Sequence, residues 1–309
     1  MTENRDQRRN SAAKKNERRE PGRPPRRKPG TLFIIGGSED KQNTQVILRA
    51  LAERIGNGRL VISTLASQHG EEVWEIYRKL FTALGVKQIR HLGIGYRDEM
   101  AKTPQTDIFD DVAALFFTGG DQLKITTSLG GTKLFESIEE LFNRGGVIAG
   151  TSAGASALSE MMLVGAPGDG VAYKVGDAFQ MVPGLGLVRD VIIDQHFSER
   201  GRIRRLLGAV AQNPRLLGIG IDEDTAIILE GDSQFRVLGS GAVYIVDGHD
   251  LTFTNIAEDS MGRTMSVFGV QLHVLSQGDV FDLSSRAPIL PATEVVSSRS
   301  TREKKTLHY

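Results

Sequence analysis

Residues 146–160 read GVIAGTSAGASALSE, an apolar run followed by small residues on both sides of Ser152. The letters GTSAG fit G-x-S-x-G, in which a strand turns sharply into a helix with the serine at the apex of the turn. Such a turn strains the backbone of the apex residue, and neighbours without bulky side chains avoid a clash with the adjacent strand. The stretch therefore predicts a strand, a nucleophile elbow and a helix, with Ser152 at the carboxyl edge of a sheet.

Short apolar runs alternate with amphipathic segments on both sides of this turn. The predicted strands are TLFIIGG (31–37), RLVISTLAS (59–67), IRHLGIG (89–95) and VAALFFTGG (112–120), and the predicted helices cover 71–85 and 131–146. This alternation indicates parallel strands joined by right-handed crossovers. The predicted fold class is α/β: a doubly wound, mostly parallel sheet with helices on both faces and a strand-rich C-terminal part. We expect one catalytic domain over residues 31–292.

The two ends of the chain have a different composition. The first thirty residues carry eleven Lys or Arg and four Asp or Glu, with almost no hydrophobic side chains, which predicts a disordered basic tail over 1–30. Residues 293–309 are predicted to be a flexible tail. Because the basic tail contains no aromatic residue, we interpret it as a solubilising segment, and nucleic-acid binding is not expected.

Composition also excludes several classes of site. The 309 residues include no cysteine, so disulfides, thiolate chemistry and zinc–sulfur sites are ruled out. The histidines lack metal-ligand spacing, and no metal or other cofactor is expected. No apolar run approaches the length of a membrane span, and no secretory signal is present, so we expect a cytoplasmic protein without membrane contact.

A serine nucleophile needs a base, and His196 is the candidate among six histidines. It lies in VIIDQHFSERGRIRRLL (191–207), where an apolar strand runs directly into polar and charged residues. A histidine at the end of one strand can reach a serine at the end of a neighbouring strand. The expected oxyanion donors are the backbone N–H groups of Ala153 and of Gly120, which ends the strand FFTGG (116–120).

Arginines follow His196 closely. Arg200 and Arg202 lie within six residues of it. Because guanidinium groups bind carboxylates through two parallel hydrogen bonds, the cluster predicts a substrate with carboxylates near its scissile bond.

Several of these stretches together resemble a known family. The motifs GGSEDK (36–41), FFTGGDQ (116–122), GTSAGAS (150–156), PGLGLV (183–188), DQHFSERGRIRRLL (194–207) and GIGIDEDTAI (218–227) are similar to those of the cyanophycinases, serine peptidases of the S51, or peptidase E-like, family. The resemblance covers residues 31 to 290. It implies the class I glutamine amidotransferase-like fold, which is a flavodoxin-like arrangement, and a homodimer.

The resemblance also implies an activity. Its substrate would be cyanophycin, a polyaspartate backbone with arginine on the β-carboxyls, cleaved to β-Asp-Arg dipeptides through an acyl-enzyme. Carried over by position, Ser152 is the nucleophile and His196 the general base. The positions that match substrate-binding ones in the family are Gln122, Asp194, Gln195, Arg200, Arg202 and Arg205.

The third member of the catalytic triad is less obvious from the sequence. The family commonly has a glutamate in a GDGE-like stretch, and Val171 stands at that position here. Asp169 is the nearest acid and is expected to orient His196, with Asp177 as the second choice.

Two alternative functions stay open at this point. An aspartyl or isoaspartyl dipeptidase of the same family would share the serine and the histidine. A catalytically inactive binding module would keep the fold without the reaction, and the basic tail and the missing glutamate are the features that favour it.

Overall fold

The computed structural model describes residues 29–93, 106–165, 180–231, 233–257 and 262–290. The predicted tails lie outside these ranges, apart from the last two residues of the first. The α-helices of the described residues are α1 (Val46–Ile55), α2 (Gly70–Ala83), α3 (Gln122–Leu129), α4 (Lys133–Asn143), α5 (Ala153–Ala157) and α6 (Ile203–Gln212). A 3-10 helix covers Thr106–Phe109.

The strands follow each other closely in the C-terminal half. They are β1 (Thr31–Ile35), β2 (Arg59–Ser63), β3 (Gln88–Leu92), β4 (Val112–Phe117), β5 (Val147–Thr151), β6 (Ser159–Val164), β7 (Gln180–Pro183), β8 (Val188–Gln195), β9 (Leu217–Ile221), β10 (Thr225–Glu230), β11 (Gln234–Gly239), β12 (Val243–Asp247), β13 (Phe253–Thr254), β14 (Val267–Phe268), β15 (Gln271–Leu275), β16 (Val280–Asp282) and β17 (Ala287–Ile289).

The larger sheet is mixed and has a parallel part. Its nine strands have the order β17-β16-β11-β10-β1-β5-β4-β2-β3. The five strands from β1 to β3 in this order are parallel to their neighbours, whereas β10, β11, β16 and β17 pair antiparallel. All five residues of β1 are buried, as expected for a strand covered on both faces.

A second sheet has the order β15-β12-β9-β8-β6-β7. Strands β6, β8 and β9 are parallel, whereas β7 pairs antiparallel with β6, β12 with β9, and β15 with β12. Strands β13 and β14 form a separate two-stranded ribbon.

Helices cover both faces of the larger sheet because successive strand residues point to opposite sides. Phe33 and Ile35 of β1 pack in a core that includes apolar residues of α1 and α2. Leu32 and Ile34 face the opposite side, in a core with residues of α3 and α4 and with the near face of the second sheet. Helix α6 packs on the far face of that sheet through residues such as Leu206.

The α/β class and the strand-rich C-terminal part are confirmed, and the prediction of one mostly parallel sheet needs correction. The parallel order is interrupted because β10 and β11 extend the larger sheet antiparallel beside β1, and β8 and β9 belong to a different sheet. Local sequence patterns identify strands but do not say which sheet a strand joins. Within the described residues, no helix has the length and apolar character needed to cross a membrane.

Candidate active site

Ser152 stands at the sharp turn that its sequence predicted. It follows β5 directly and precedes α5, and its backbone has φ 55° and ψ −114°, a region that residues with a side chain rarely adopt. The flanking glycines permit the turn: a Cβ on Gly150 would lie 2.4 Å from the Gly154 carbonyl oxygen, and one on Gly154 would lie 2.5 Å from that of Phe117. The elbow thus holds the serine in strained geometry at the carboxyl end of β5.

His196 lies against this serine. Its Nε2 is 2.8 Å from Ser152 Oγ, a hydrogen bond in which the neutral imidazole accepts the hydroxyl proton. The histidine directly follows β8 and also has a positive φ, 46°. Its backbone N–H donates to the carbonyl of Gly36 at 2.8 Å. The pair has the geometry of a nucleophile and its general base.

The acid that contacts His196 is Glu223. Its Oε1 is 2.5 Å from His196 Nδ1, on the side of the ring opposite Ser152. Glu223 lies in the turn between β9 and β10. Burial acts to raise the pKa of its carboxyl, but the hydrogen bond from His196, the Ser38 hydroxyl and the Arg200 guanidinium together lower that pKa below its usual value. An ionised carboxylate at this place fixes the imidazole tautomer and stabilises the imidazolium.

Glu223 was missed from the sequence, where Asp169 and Asp177 were the candidates for this role. Both aspartates lie outside the described residues. Their selection assumed that the acid precedes the histidine in the chain, whereas Glu223 follows it by 27 residues. A signal was present, since Glu223 belongs to GIGIDEDTAI (218–227), in which three acidic residues directly follow an apolar strand.

The site lies between the two sheets. Ser152 follows a strand of the larger sheet, and His196 follows a strand of the second one, so the expectation that the two strands are neighbours is wrong. The turn that carries Glu223 leads from β9 in the second sheet to β10 in the larger one. Backbone contacts join the sheets here, because the N–H of Asp224 donates to the carbonyl of Gly37 at 2.9 Å.

Gly37 packs directly against the imidazole of His196. It has φ +108°, and a Cβ built on it would lie 2.3 Å from His196 Cε1 and 2.5 Å from Nε2. No residue with a side chain fits at this position while the ring stays in place.

We expect Gly37→Ala to lower kcat/KM by about 100-fold, because the added methyl displaces the base from Ser152. The measurement is steady-state kinetics with a melting curve on the same sample. Gly85→Ala is the control, since Gly85 also has a positive φ but a Cβ there meets nothing within 4 Å. Equal activity losses in the two variants would show that backbone strain, and not the contact with His196, is responsible.

One expected oxyanion donor adjoins the nucleophile in the chain, and the other follows a glycine that lies beside it. Ala153 begins α5 immediately after Ser152. Two glycines, Gly119 and Gly120, come shortly after β4. Gly119 lies beside the serine, because a Cβ built on it would be 3.4 Å from Ser152 Cβ. Gly120 has φ +144° and packs on the Ala66 carbonyl, where a Cβ would lie 2.1 Å from the oxygen. The pair therefore needs glycine for close packing as well as for any role in catalysis.

Most of the residues matched to substrate-binding positions contact other protein groups. Asp194, with a side chain only 1% exposed, accepts a hydrogen bond from Arg202 Nη1 at 3.1 Å and two from Arg205, the one from Nε at 2.8 Å. Arg202 also donates to the backbone and side-chain oxygens of Gln195, at 2.6 and 2.9 Å. Gln122 donates through Nε2 to the Leu163 carbonyl at 2.9 Å.

The structure thus gives Arg202 and Arg205 partners within the protein, and their binding of a substrate carboxylate stays a prediction. In this structure, Arg202 and Arg205 neutralise a buried aspartate near the end of β8, two residues before His196. The sequence could not reveal this pairing, because Arg202 and Arg205 lie eight and eleven residues after Asp194. They contact it only because α6 packs on the second sheet. Arg200 differs from both, since it is exposed and near enough to Glu223 to affect its pKa.

We expect Asp194→Asn to lower the free energy of unfolding by about 3–5 kcal/mol, because it removes the carboxylate that pairs with two largely buried cations. Urea denaturation measures this change. The control is Asp190→Asn on the same strand, where Asp190 pairs with Arg215 and their side chains are 63% and 58% exposed; this change should cost less than about 1 kcal/mol. Loss of activity without loss of stability in Asp194→Asn would instead favour the substrate-binding role.

Across the described ranges, no three or more His, Asp or Glu side chains cluster in a way that could hold a metal ion. The described site is built from a hydroxyl, an imidazole, a carboxylate and backbone groups.

Comparison with known proteins gives consistent relationships. The model of peptidase family S51 matches residues 32–237. The chain is 37% identical over 271 residues to a cyanophycinase of Nostoc sp., covering 86% of this chain and 90% of that protein. It is 32% identical over 268 residues to a cyanophycinase of Geminocystis herdmanii, covering 85% and 97% of the two chains.

One solved structure is similar in fold. It is the crystal structure of a peptidase from an acI-B1 Actinobacterium, with a TM-score of 0.58 and 23% identity, covering 83% of this chain and 98% of that one. This similarity bears on the fold alone.

Proposed function

Since the chain belongs to peptidase family S51, we propose that it is a serine exopeptidase that hydrolyses cyanophycin to β-Asp-Arg dipeptides. The observation that carries the proposal is the continuous hydrogen-bond chain from Ser152 Oγ through His196 to Glu223. The substrate is inferred from the cyanophycinases, which are identical to this chain at about a third of the aligned positions over most of their length.

The mechanism follows from the order of these contacts. His196 Nε2 takes the proton of Ser152, whose oxygen attacks the backbone carbonyl of a terminal β-Asp-Arg unit. Glu223 holds the other ring nitrogen and stabilises the imidazolium. Backbone N–H groups of Ala153 and Gly120 receive the oxyanion. The imidazolium then protonates the leaving amine, and water hydrolyses the acyl-enzyme by the reverse sequence of proton transfers.

Among the arginines, Arg200 is the group that we assign to a substrate carboxylate. It is exposed and its charge acts on Glu223, which lies beside the reacting atoms. Gln122, Asp194, Gln195, Arg202 and Arg205 contribute in this proposal by fixing the walls of the site.

Finer features of the family complete the proposal. The five parallel strands with helices on both faces support the class I glutamine amidotransferase-like arrangement. A homodimer and a cytoplasmic location stay predictions that follow from the family resemblance.

The test is the mass spectrum of the products formed from cyanophycin. We expect β-Asp-Arg as the main product, with stepwise shortening of the polymer. The same preparation should be incubated with Asp-Xaa dipeptides. Hydrolysis of the dipeptides with intact polymer would identify the dipeptidase alternative. No turnover of either substrate, together with no labelling of Ser152 by a serine-reactive phosphonate, would identify an inactive binding module.

A further inference from the structure

A buried carboxylate lies directly beneath the nucleophile elbow and has no role in the mechanism above. The side chain of Glu39 is 1% exposed. Its Oε2 accepts a hydrogen bond from Thr151 Oγ1 at 2.6 Å, and its Oε1 accepts one from the Tyr77 hydroxyl. Lys41 Nζ lies 2.9 Å from Oε1 and 5.3 Å from the centre of the Tyr77 ring. Three donors, one of them charged, therefore satisfy a carboxylate that is shielded from water.

Burying a carboxylate is costly, and hydrophobic side chains of similar size often give a folded protein equal stability. A contribution to geometry is the alternative reason for such a group. Here the contact of Glu39 is with Thr151, the residue that precedes Ser152. The buried Glu39 carboxylate therefore accepts a hydrogen bond from the residue next to the strained turn at Ser152.

Thr151 and Ser152 are tied to the segment that follows β1. Thr151 is opposite Ile35 in the parallel pair β1–β5, and the Ser152 N–H donates to the Ile35 carbonyl at 3.0 Å. The Glu39 contact adds a side-chain restraint to this backbone one. A backbone in an unfavourable φ/ψ region persists only where several surrounding contacts restrain it.

The same short segment contacts His196, Glu223 and the residue that precedes Ser152. The Gly36 carbonyl accepts the His196 N–H, and Gly37 packs against the imidazole. The Ser38 hydroxyl hydrogen-bonds Glu223. Glu39 then reaches back to Thr151. Residues 36–39 thereby join the elbow of the larger sheet to the histidine and glutamate that follow strands of the second sheet.

We propose that Glu39 is a positioning residue: through the Thr151 hydroxyl it fixes the elbow so that Ser152 Oγ stays within proton-transfer distance of His196. Lys41 supplies a counter-charge 2.9 Å from the buried carboxylate. This inference rests on the proposed function, because it assigns Glu39 an effect on the reactivity of Ser152.

The test removes only the hydroxyl that joins Glu39 to the elbow. Thr151→Val keeps the shape of the side chain in β5, and we expect kcat to fall by about 10- to 100-fold with KM unchanged, because the nucleophile is less well aligned. The rate of Ser152 labelling by a phosphonate should fall by the same factor, which makes the result independent of cyanophycin. Thr151→Ser restores the hydroxyl and should recover most of the rate.

Thr31→Val is the matched control. Thr31 is also a buried strand threonine whose hydroxyl has a charged partner, Arg54, but it lies at the opposite end of the parallel strands. Its substitution should affect the melting temperature and leave kcat unchanged. If Thr151→Val likewise lowered only the melting temperature, or if Thr151→Ser failed to recover the rate, Glu39 would be a structural residue and the proposal would be overturned.

Glu39→Gln gives a second measurement with a different substitution. If Glu39 and Thr151 act through one hydrogen bond, adding Thr151→Val to Glu39→Gln should lower kcat little beyond the single variants, and full additivity would contradict the proposal. Ser152→Ala in the same assay separates the two hypotheses. If Ser152→Ala is inactive and Thr151→Val is fully active, only the role of Glu39 is rejected. If Ser152→Ala is active, the proposed function itself is rejected.

Discussion

Ser152→Ala is expected to lower the turnover of cyanophycin by about a million-fold, the loss found when a serine nucleophile is removed from a catalytic triad. In the proposed mechanism, the hydroxyl oxygen forms the covalent bond in the acyl-enzyme, which the methyl group of alanine cannot do. The substitution removes one atom from an elbow already surrounded by alanines and glycines, so the melting temperature should change little. Product release measured by mass spectrometry over long incubations provides the sensitivity needed for so large a decrease.

Ser156→Ala is the matched control for this variant. Ser156 lies one turn further along, is buried, and its hydroxyl is 3.4 Å from the Ile193 carbonyl rather than near His196. It should keep its activity and its phosphonate labelling, and Ser152→Ala should lose both. A wild-type rate for Ser152→Ala would show that another group is the nucleophile.

Glu223→Gln is expected to have the second largest effect, a decrease in kcat of about 10,000-fold. The amide has almost the same shape as the carboxylate but carries no charge, so it cannot stabilise the imidazolium. The amide can also present its NH₂ group, in place of an oxygen, to His196 Nδ1. A donor at that place selects the tautomer with the proton on Nε2, and this nitrogen can then no longer accept the proton of Ser152.

Glu71→Gln is the control for Glu223→Gln, because it makes the same change beside another histidine. Glu71 Oε1 lies 3.8 Å from His91 Nδ1, at the far edge of the larger sheet. Its variant should be fully active. If Glu223→Gln kept its activity, the acid of the triad would lie elsewhere, and Asp169→Asn and Asp177→Asn would be the next variants to measure.

Local patterns sufficed to predict the sharp turn at Ser152 and the strands that surround it. The run VIAGTSAG predicted β5, the elbow and α5, because small residues are required wherever a helix starts this close to a strand. The runs around Phe33, Ile62 and Phe116 were recognised as strands for a similar reason, since buried parallel strands are continuously apolar. The choice of His196 also came from its position directly after an apolar run.

The acid and the arginines show where such patterns stop being sufficient. Asp169 was selected by its closeness in the chain to the expected position, but the ring of His196 meets Glu223, which a different strand delivers. Arg202 and Arg205 were predicted to bind substrate, but their contacts with Asp194 were not predicted. In both cases the sequence supplied the correct kinds of residue, and contacts between distant segments decided which of them meet.

By itself, the chain's order of residues therefore determined which backbone segments become strands and where the serine must sit, because those features depend on neighbours within a few positions. Tertiary structure alone decided that two separate sheets share the site, that Glu223 completes it, and that residues 36–39 join its parts. The physical reason is that a hydrogen bond between side chains requires them to lie about 3 Å apart, and that proximity arises only when segments far apart in the chain pack against each other.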